Sequence, residues 1–219
     1  MAVASKRAPK KRTASRELRK QQLIKATIKT VAKKGFAHTT MADVAKEAGL
    51  SQGIINLHFK SKDRLFSETL RYLSDEYKQA WERALKKAGN DPVEKLRAMV
   101  NLDFSASLCE RSKLAVWFAF YGEAKSRPTY LSICTEQDTQ YTSVLEQIAE
   151  EIIREGGYEA RAEDVAETLS AMTDGLWLSL LLTPRSVGRE SAKGLCFTYL
   201  ANVFPQHFAA ESQVASAAQ

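Results

Sequence analysis

Residues 48–62, AGLSQGIINLHFKSK, hold the side chains whose types and spacing speak most directly of chemistry. On a helix starting at Ser51, the short or polar Ser51, Gln52, Gly53, Asn56 and His58 form an exposed side, while Ile55 and Phe59 turn the other way. Such a helix suits the major groove of duplex DNA, where its N-terminal residues meet base edges and a Gln amide pairs bidentately with adenine. Gly53 keeps that side low, so the backbone can approach the duplex. Lys62, at the start of the next helix, is placed to hold a phosphate, and so are His58 and Thr40, the last at the start of the preceding helix. A solvated lysine and a simple helix cap are the competing readings of Lys62 and Thr40.

A second group of side chains suits a different ligand. Trp117, Phe120 and Tyr121 cluster in VWFAFY, and Tyr141 and Trp177 follow further along. Aromatic faces attract quaternary ammonium groups at about 0.5–2 kcal/mol per good contact. An acid such as Glu123, Asp138 or Asp174 would balance the charge. Aromatics at helical spacing also build cores, and packing alone is the competing reading. Catalysis finds no support: there is no GxSxG, P-loop or HExxH, and His38, His58 and His207 lie too far apart to share a metal. No cofactor is expected, and the chain is not read as an enzyme.

The elements that must carry these groups are helical. Leu23, Ile24, Thr27, Ile28 and Val31 recur at helical intervals in a segment running from about Arg16 to Gly35. Thr40-Met-Ala-Asp43 has the form of a capping box for a short helix ending at Gly49, and Ser51 caps the next, which ends near Phe59-Lys60. Small Ala45 lets these two helices cross closely, and Gly49 supplies the positive φ that their turn needs. Ser61 opens a long helix through Leu65, Phe66, Leu70, Leu73, Tyr77, Trp81 and Leu85, closed by Gly89-Asn90. Asp91-Pro92-Val93-Glu94 starts a fresh helix, and Arg127-Pro128 breaks the chain before another long one that ends at Gly156-Gly157. Segments 162–183 and 187–204 supply two more. The expectation is an all-α chain of about nine helices. Residues 1–15 and 211–219 are read as disordered tails, 16–62 as a three-helix helix-turn-helix DNA-binding domain, and 63–210 as a helical ligand-binding and dimerisation domain.

Composition narrows the class further. With 44% hydrophobic and 26% charged residues, the 219-residue chain is not a mostly disordered protein. No apolar run approaches the roughly 18 residues of a membrane helix, so no membrane partner is expected. Three scattered cysteines without CxxC spacing fit a reducing, cytoplasmic setting. The charge is uneven: Lys and Arg outnumber Asp and Glu by 16 to 4 over residues 1–64, whereas acids lead by 22 to 16 over 65–219. A basic end on an acidic body points to a polyanion at one end. Lys6, Arg7, Lys10, Lys11 and Arg12 would enter a minor groove as a flexible arm or simply attract phosphates. Segment 165–182 is apolar nearly all round, at Val165, Leu169, Met172, Leu176, Leu178, Leu180 and Leu181. With the helix that follows, it predicts a homodimer through a four-helix bundle; a monomer core is the alternative.

Residues 24–66 resemble the DNA-binding domain of TetR-type transcriptional regulators: Ala48-Gly49-Leu50-Ser51, Gly53, His58-Phe59, Ser61-Lys62 and Leu65 match its pattern. Asn56 departs from it where most relatives carry a Tyr at the phosphate backbone, and Leu57 stands where a polar or aromatic residue is common. AVWFAFY at 115–121 and AMTDGLWL at 171–178 resemble the BetI-type ligand domain. The resemblance implies a dimeric repressor on a palindromic DNA operator, released by a small-molecule effector such as a choline-like cation, and controlling choline-to-betaine genes. Effector binding would tilt helix 61–88 and respace the two DNA-reading heads. Three alternatives stay open: a regulator of the same family sensing an unrelated hydrophobic or cationic compound, as in efflux control; a nonspecific DNA-binding protein; and an enzyme whose basic head holds a phosphorylated substrate.

Overall fold

The computed structural model describes residues 10–184, 186 and 188–209, and among them there are helices and no strand. Nine helices have seven or more residues: α1 (Lys10–Lys34), α2 (Met41–Glu47), α3 (Gln52–His58), α4 (Lys62–Ala88), α5 (Pro92–Asp103), α6 (Arg111–Ala124), α7 (Pro128–Gly156), α8 (Ala162–Leu182) and α9 (Arg189–Val203). A short helical segment at 205–209 follows. The chain divides into two compact units, residues 1–72 and 73–219. The division falls inside α4, ten residues beyond the 62/63 boundary read from the sequence. The reason is that Leu65, Phe66, Thr69 and Leu70 are buried in the first unit.

The first unit is built on α1, whose Leu23, Ile24, Thr27, Ile28 and Val31 are buried at the spacing of one helix face. The helix begins at Lys10, earlier than the expected start near Arg16. Residues 10–19, KKRTASRELR, contain neither Gly nor Pro, so nothing local stops the helix from extending toward Pro9. Residues 1–9 of the expected basic tail lie outside the described residues, as does 211–219. Gly35 ends α1 at φ +80. Thr40 and Asp43 form the predicted capping box at the start of α2. Gly49, at φ +64, makes the turn into α3. The Gln22 amide of α1 donates to the Ala48 carbonyl at 2.7 Å, fixing that turn from below.

The second unit consists of the rest of α4 with α5 to α9. Its core gathers Trp81, Met99, Leu114, Leu145, Ile148, Leu169, Phe197 and Phe204. Asp91 caps α5 as expected, accepting from the N–H groups of Val93 and Glu94, with Pro92 in the first turn. The sequence marks no break between Pro92 and Arg127, yet α5 ends at Asp103 and α6 starts at Arg111. The break is held by tertiary partners. Trp177 Nε1 and Cys109 Sγ donate to the Asp103 carbonyl, at 2.8 and 3.1 Å, and Arg189 donates to that of Phe104 at 3.2 Å. These side chains satisfy carbonyls that a helix end would otherwise leave open.

Candidate functional site

The first unit presents α3 to solvent as the sequence pattern requires. Val44, Ala45, Ala48, Ile55 and Phe59 are buried, whereas Ser51, Gln52, Gly53 and Asn56 are exposed. The Gln52 amide donates to Asn56 Oδ1 at 3.3 Å, so the two polar side chains form one hydrogen-bonding edge, a turn apart. Leu57 is 72% exposed beside them. Ser51 occupies the N-cap position, but its hydroxyl makes no cap bond. The turn closes through its carbonyl, which accepts from Ile54 and Ile55.

Gly53 is informative because nothing inside the protein requires it. A Cβ there would meet only the Ser51 hydroxyl, at 3.8 Å, and the backbone is not in the left-handed region. Glycine within a helix costs about 0.5–1 kcal/mol relative to alanine. The fold alone would therefore favour a side chain at this position.

Three expected DNA-facing groups are engaged within the unit. The Lys62 ammonium donates to the carbonyls of Phe36 (3.3 Å) and Ala37 (3.4 Å) and lies over the rings of Phe36 and Phe66. These contacts anchor it between the α1–α2 connection and α4. His58 is half-buried; burial first, then Arg16 and Lys20, push its ring toward the neutral form, with Glu17 opposing. Thr40 is exposed, and its hydroxyl is held by Asp43 in the capping box. Hydrogen bonds from Lys34 and Thr40 hold the Asp43 carboxyl down at about 2. Lys60, which sequence reasoning passed over, is exposed just after α3 and pairs with no carboxylate among the described residues.

The second unit contains a narrow cavity lined by Tyr77, Trp117, Tyr121, Gln137, Tyr141, Ser170, Thr173, Asp174 and Trp177. Four of the five aromatics proposed from sequence meet there. The fifth, Phe120, is fully buried edge-on against Tyr130, at 5.3 Å between ring centres, and does not line the cavity. Glu123 is also elsewhere, paired with Arg127 at 3.2 Å. The space between the side chains is about 20 Å³, enough for about one water. Tyr77 packs at 5.5 Å from Tyr141 and edge-on at 5.6 Å from Trp177.

Behind these rings lies Asp103, 1% exposed. Its Oδ1 accepts from the Tyr77 hydroxyl at 2.7 Å and its Oδ2 from the Tyr141 hydroxyl. Burial pushes its carboxyl up to about 7, against the two hydrogen bonds, which favour the charged form. Asp174, on the cavity wall, is pushed up to about 6 by burial and by the neighbouring charge of Asp138. No lining residue is basic. The pocket is aromatic and acid-backed, which disfavours anions and suits a cation. Sequence reasoning missed Tyr77 and Asp103. Tyr77 was legible only as one more residue of the apolar face of α4. Asp103 did carry a signal: it continues the face Leu96, Met99, Val100 at helical spacing, and an acid on a buried stripe marks a candidate site.

A helix-turn-helix with an exposed second helix in one unit and an aromatic cavity in another are the parts of a DNA-binding regulator with a separate effector domain. Residues 23–69 match the family model of bacterial regulatory proteins, tetR family, and residues 92–205 match that of the BetI-type transcriptional repressor, C-terminal. The HTH-type transcriptional regulator BetI of Stenotrophomonas maltophilia is 32% identical over 183 residues, 84% of this chain and 91% of its own. A transcriptional regulator from Pseudomonas aeruginosa PAO1 superimposes with a TM-score of 0.77 at 28% identity, covering 86% of this chain and 91% of that one. A regulator from Saccharomonospora viridis, solved in complex with choline, shares the fold with a TM-score of 0.73 at 21% identity, over 84% and 96% of the two chains. The chain belongs to the TetR family of transcriptional regulators and carries the BetI-type repressor body. Among its described residues no helix is long and apolar enough to cross a membrane.

Proposed function

We propose that this repressor works as a homodimer on a palindromic operator and is released by a small organic cation of choline type. The observation that carries the effector assignment is the cavity of Tyr77, Trp117, Tyr121, Tyr141 and Trp177, which has Asp174 in its wall and no basic residue. Ring faces and carboxylates together offset the water that a quaternary ammonium loses on entry. The solved choline complex of the same fold supports this reading.

On the DNA side, Gln52 and Asn56 would read base edges, Ser51 and Thr40 would contact the backbone, and Gly53 would allow the close approach. Leu57, exposed and apolar, suits the C5-methyl group of a thymine. Lys60 would take a phosphate, while Lys62 positions the unit from within. Because the cavity holds about one water, a larger ligand must part its walls, one of which is Tyr77 of α4. That helix begins at Lys62 in the DNA-binding unit, so effector entry and operator affinity share one rigid element.

The exposed stripes of α8 (Ala171, Gly175, Leu178, Leu182) and α9 (Ser191, Leu195, Thr198, Asn202) each recur at intervals of four, three and four residues. They are suited to pair with a second copy in a four-helix bundle.

Calorimetric titration with choline, betaine aldehyde and an uncharged isostere of choline tests the effector. Binding of the cations with release of operator DNA is expected. Equal binding of the isostere, or no binding of either cation at millimolar concentration, removes the choline-type assignment.

A further inference from the structure

We propose that Asp103, which does not line the cavity, is the residue that gives the site its preference for a cation, acting through the hydroxyls of Tyr77 and Tyr141. The inference rests on the reading of the cavity as an effector site for a cation.

Asp103 ties together three of the cavity's aromatic walls. Its two carboxylate oxygens accept from Tyr77 on α4 and Tyr141 on α7, and its main-chain oxygen accepts from the Trp177 indole on α8. One residue at the end of α5 therefore sets the orientation of rings from three other helices. A phenol that donates to a carboxylate is polarised by it, which makes the ring face more negative and its hold on a cation stronger. The carboxylate thus acts at a distance of one ring, without giving up its burial.

The charged and titratable groups around Asp103 leave its charge uncompensated. Tyr77 comes from α4, Tyr141 from α7 and Asp174 from α8, with Tyr121 of α6 beside Asp174. Cys109, in the α5–α6 connection, and Cys196, on α9, are held as thiols by burial. The nearby cation, Arg189 of α9, donates to the Phe104 carbonyl rather than to the carboxylate. A buried carboxylate without a protein counter-charge retains its proton near neutrality, in keeping with a value of about 7. A cation entering between Tyr77, Tyr141 and Trp177 supplies the missing charge and favours the ionised form. Cation binding and release of the Asp103 proton are then linked: affinity rises with pH until Asp103 is already ionised in the free protein. An uncharged ligand of the same shape gains nothing from that ionisation.

The test is titration of the full-length protein with choline and with 3,3-dimethylbutan-1-ol, its uncharged isostere, followed by calorimetry at several pH values. Choline affinity is expected to increase about tenfold between pH 6 and pH 8, the limit for one linked proton with a free-state value of about 7. Affinity for the alcohol should stay level. Asp103→Asn should flatten the choline profile and narrow the preference for choline over the alcohol, whereas Asp174→Asn should keep the rise through pH 7. If Asp103→Asn does not fold, Tyr141→Phe replaces it: loss of one donor raises the Asp103 value, so the midpoint of the choline profile should move to higher pH. Choline binding that is pH-independent in the wild type overturns the role of Asp103 while leaving the cation reading intact. An unmoved profile in Asp103→Asn or Tyr141→Phe does the same. Failure of choline and tetramethylammonium to bind at any pH overturns both.

Discussion

Gly53 and Asp103 both sit where stability alone would choose otherwise, and each can be tested by a single substitution. Gly53→Ala fills open space on α3, so the DNA-binding unit should gain about 0.5–1 kcal/mol of stability while operator affinity falls. A thermal melt and a gel-shift titration on the same preparation check the two opposed signs; unchanged operator affinity would mean that no close approach occurs there. For Asp103, the unfolded carboxyl ionises near 3.8 and the folded one at about 7. Between those values the folded state carries the extra proton, so this group's contribution falls as pH rises through the window and levels off above 7, in total on the order of 4 kcal/mol. Denaturant unfolding at pH 5 and pH 8 should show Asp103→Asn losing less stability over that interval than the wild type. The two lysines near α3 separate in the same way. Lys62→Ala should destabilise the DNA-binding unit by about 1–3 kcal/mol through its lost carbonyl bonds and ring contacts. Lys60→Ala should leave stability alone and lower the salt slope of DNA binding by about one.

At the scale of elements, α4 is the part on which the proposed regulation depends. Its first turns bury Leu65, Phe66 and Leu70 in the DNA-binding unit, and further along it places Tyr77 in the cavity wall and Trp81 in the second core. In the proposed mechanism a continuous helix between those sites would transmit displacement, because its backbone hydrogen bonds resist bending. Arg71 and Asp75 are exposed on either side of the division between the units. Replacing both by glycine costs helix propensity of about 0.8 kcal/mol at Arg71 and about 0.3 kcal/mol at Asp75. Choline affinity and operator affinity should each persist in this double variant, while the drop in operator affinity on adding choline shrinks. Fluorescence-polarisation titrations of operator DNA, with and without choline, measure that coupling; an undiminished response would show that the signal travels by another element. The α5–α6 break belongs to this scale too. It places Asp103 at a helix end, where its main-chain oxygen is open to Trp177 as well as its carboxylate to the two tyrosines.

For the whole molecule the decisive question is assembly. The exposed stripe of α8 contains Gly175, where an added Cβ would meet nothing, between Ala171 and Leu178. Small residues flanked by leucines let a second helix approach closely. Leu178→Asp puts a charge into that face, and burying it without a partner is strongly unfavourable. Sedimentation should show the wild type as a dimer at micromolar concentration and the variant as a monomer. Operator affinity should drop sharply in the variant, because each half-site is then held alone. A wild type that sediments as a monomer would remove the proposed symmetry of both protein and operator.

Local chemistry was enough to read most of the helices from the sequence, though not the α5–α6 break. The 3–4 spacing of Leu23 to Val31, the Thr40/Asp43 capping box, the Gly49 turn, the Asp91-Pro92 start and the outward face of α3 each depend on residues within a turn or two of one another. The match of 24–66, and especially 48–66, to TetR-type regulators was legible for the same reason: the motif is continuous in the chain. Short-range pattern failed where a side chain is claimed by a partner far away. Lys62 looks like a free ammonium in sequence, but its two carbonyl partners lie 25 and 26 residues earlier. Phe120 and Tyr121 are neighbours in the chain, yet helical geometry turns one into the core and the other toward the cavity. Asp103 acquires its role from Tyr77, Tyr141 and Trp177, which stand 26, 38 and 74 positions away. A carboxylate's burial, its hydrogen bonds and its affinity for a proton are properties of those assembled neighbours, so only the tertiary structure decides them.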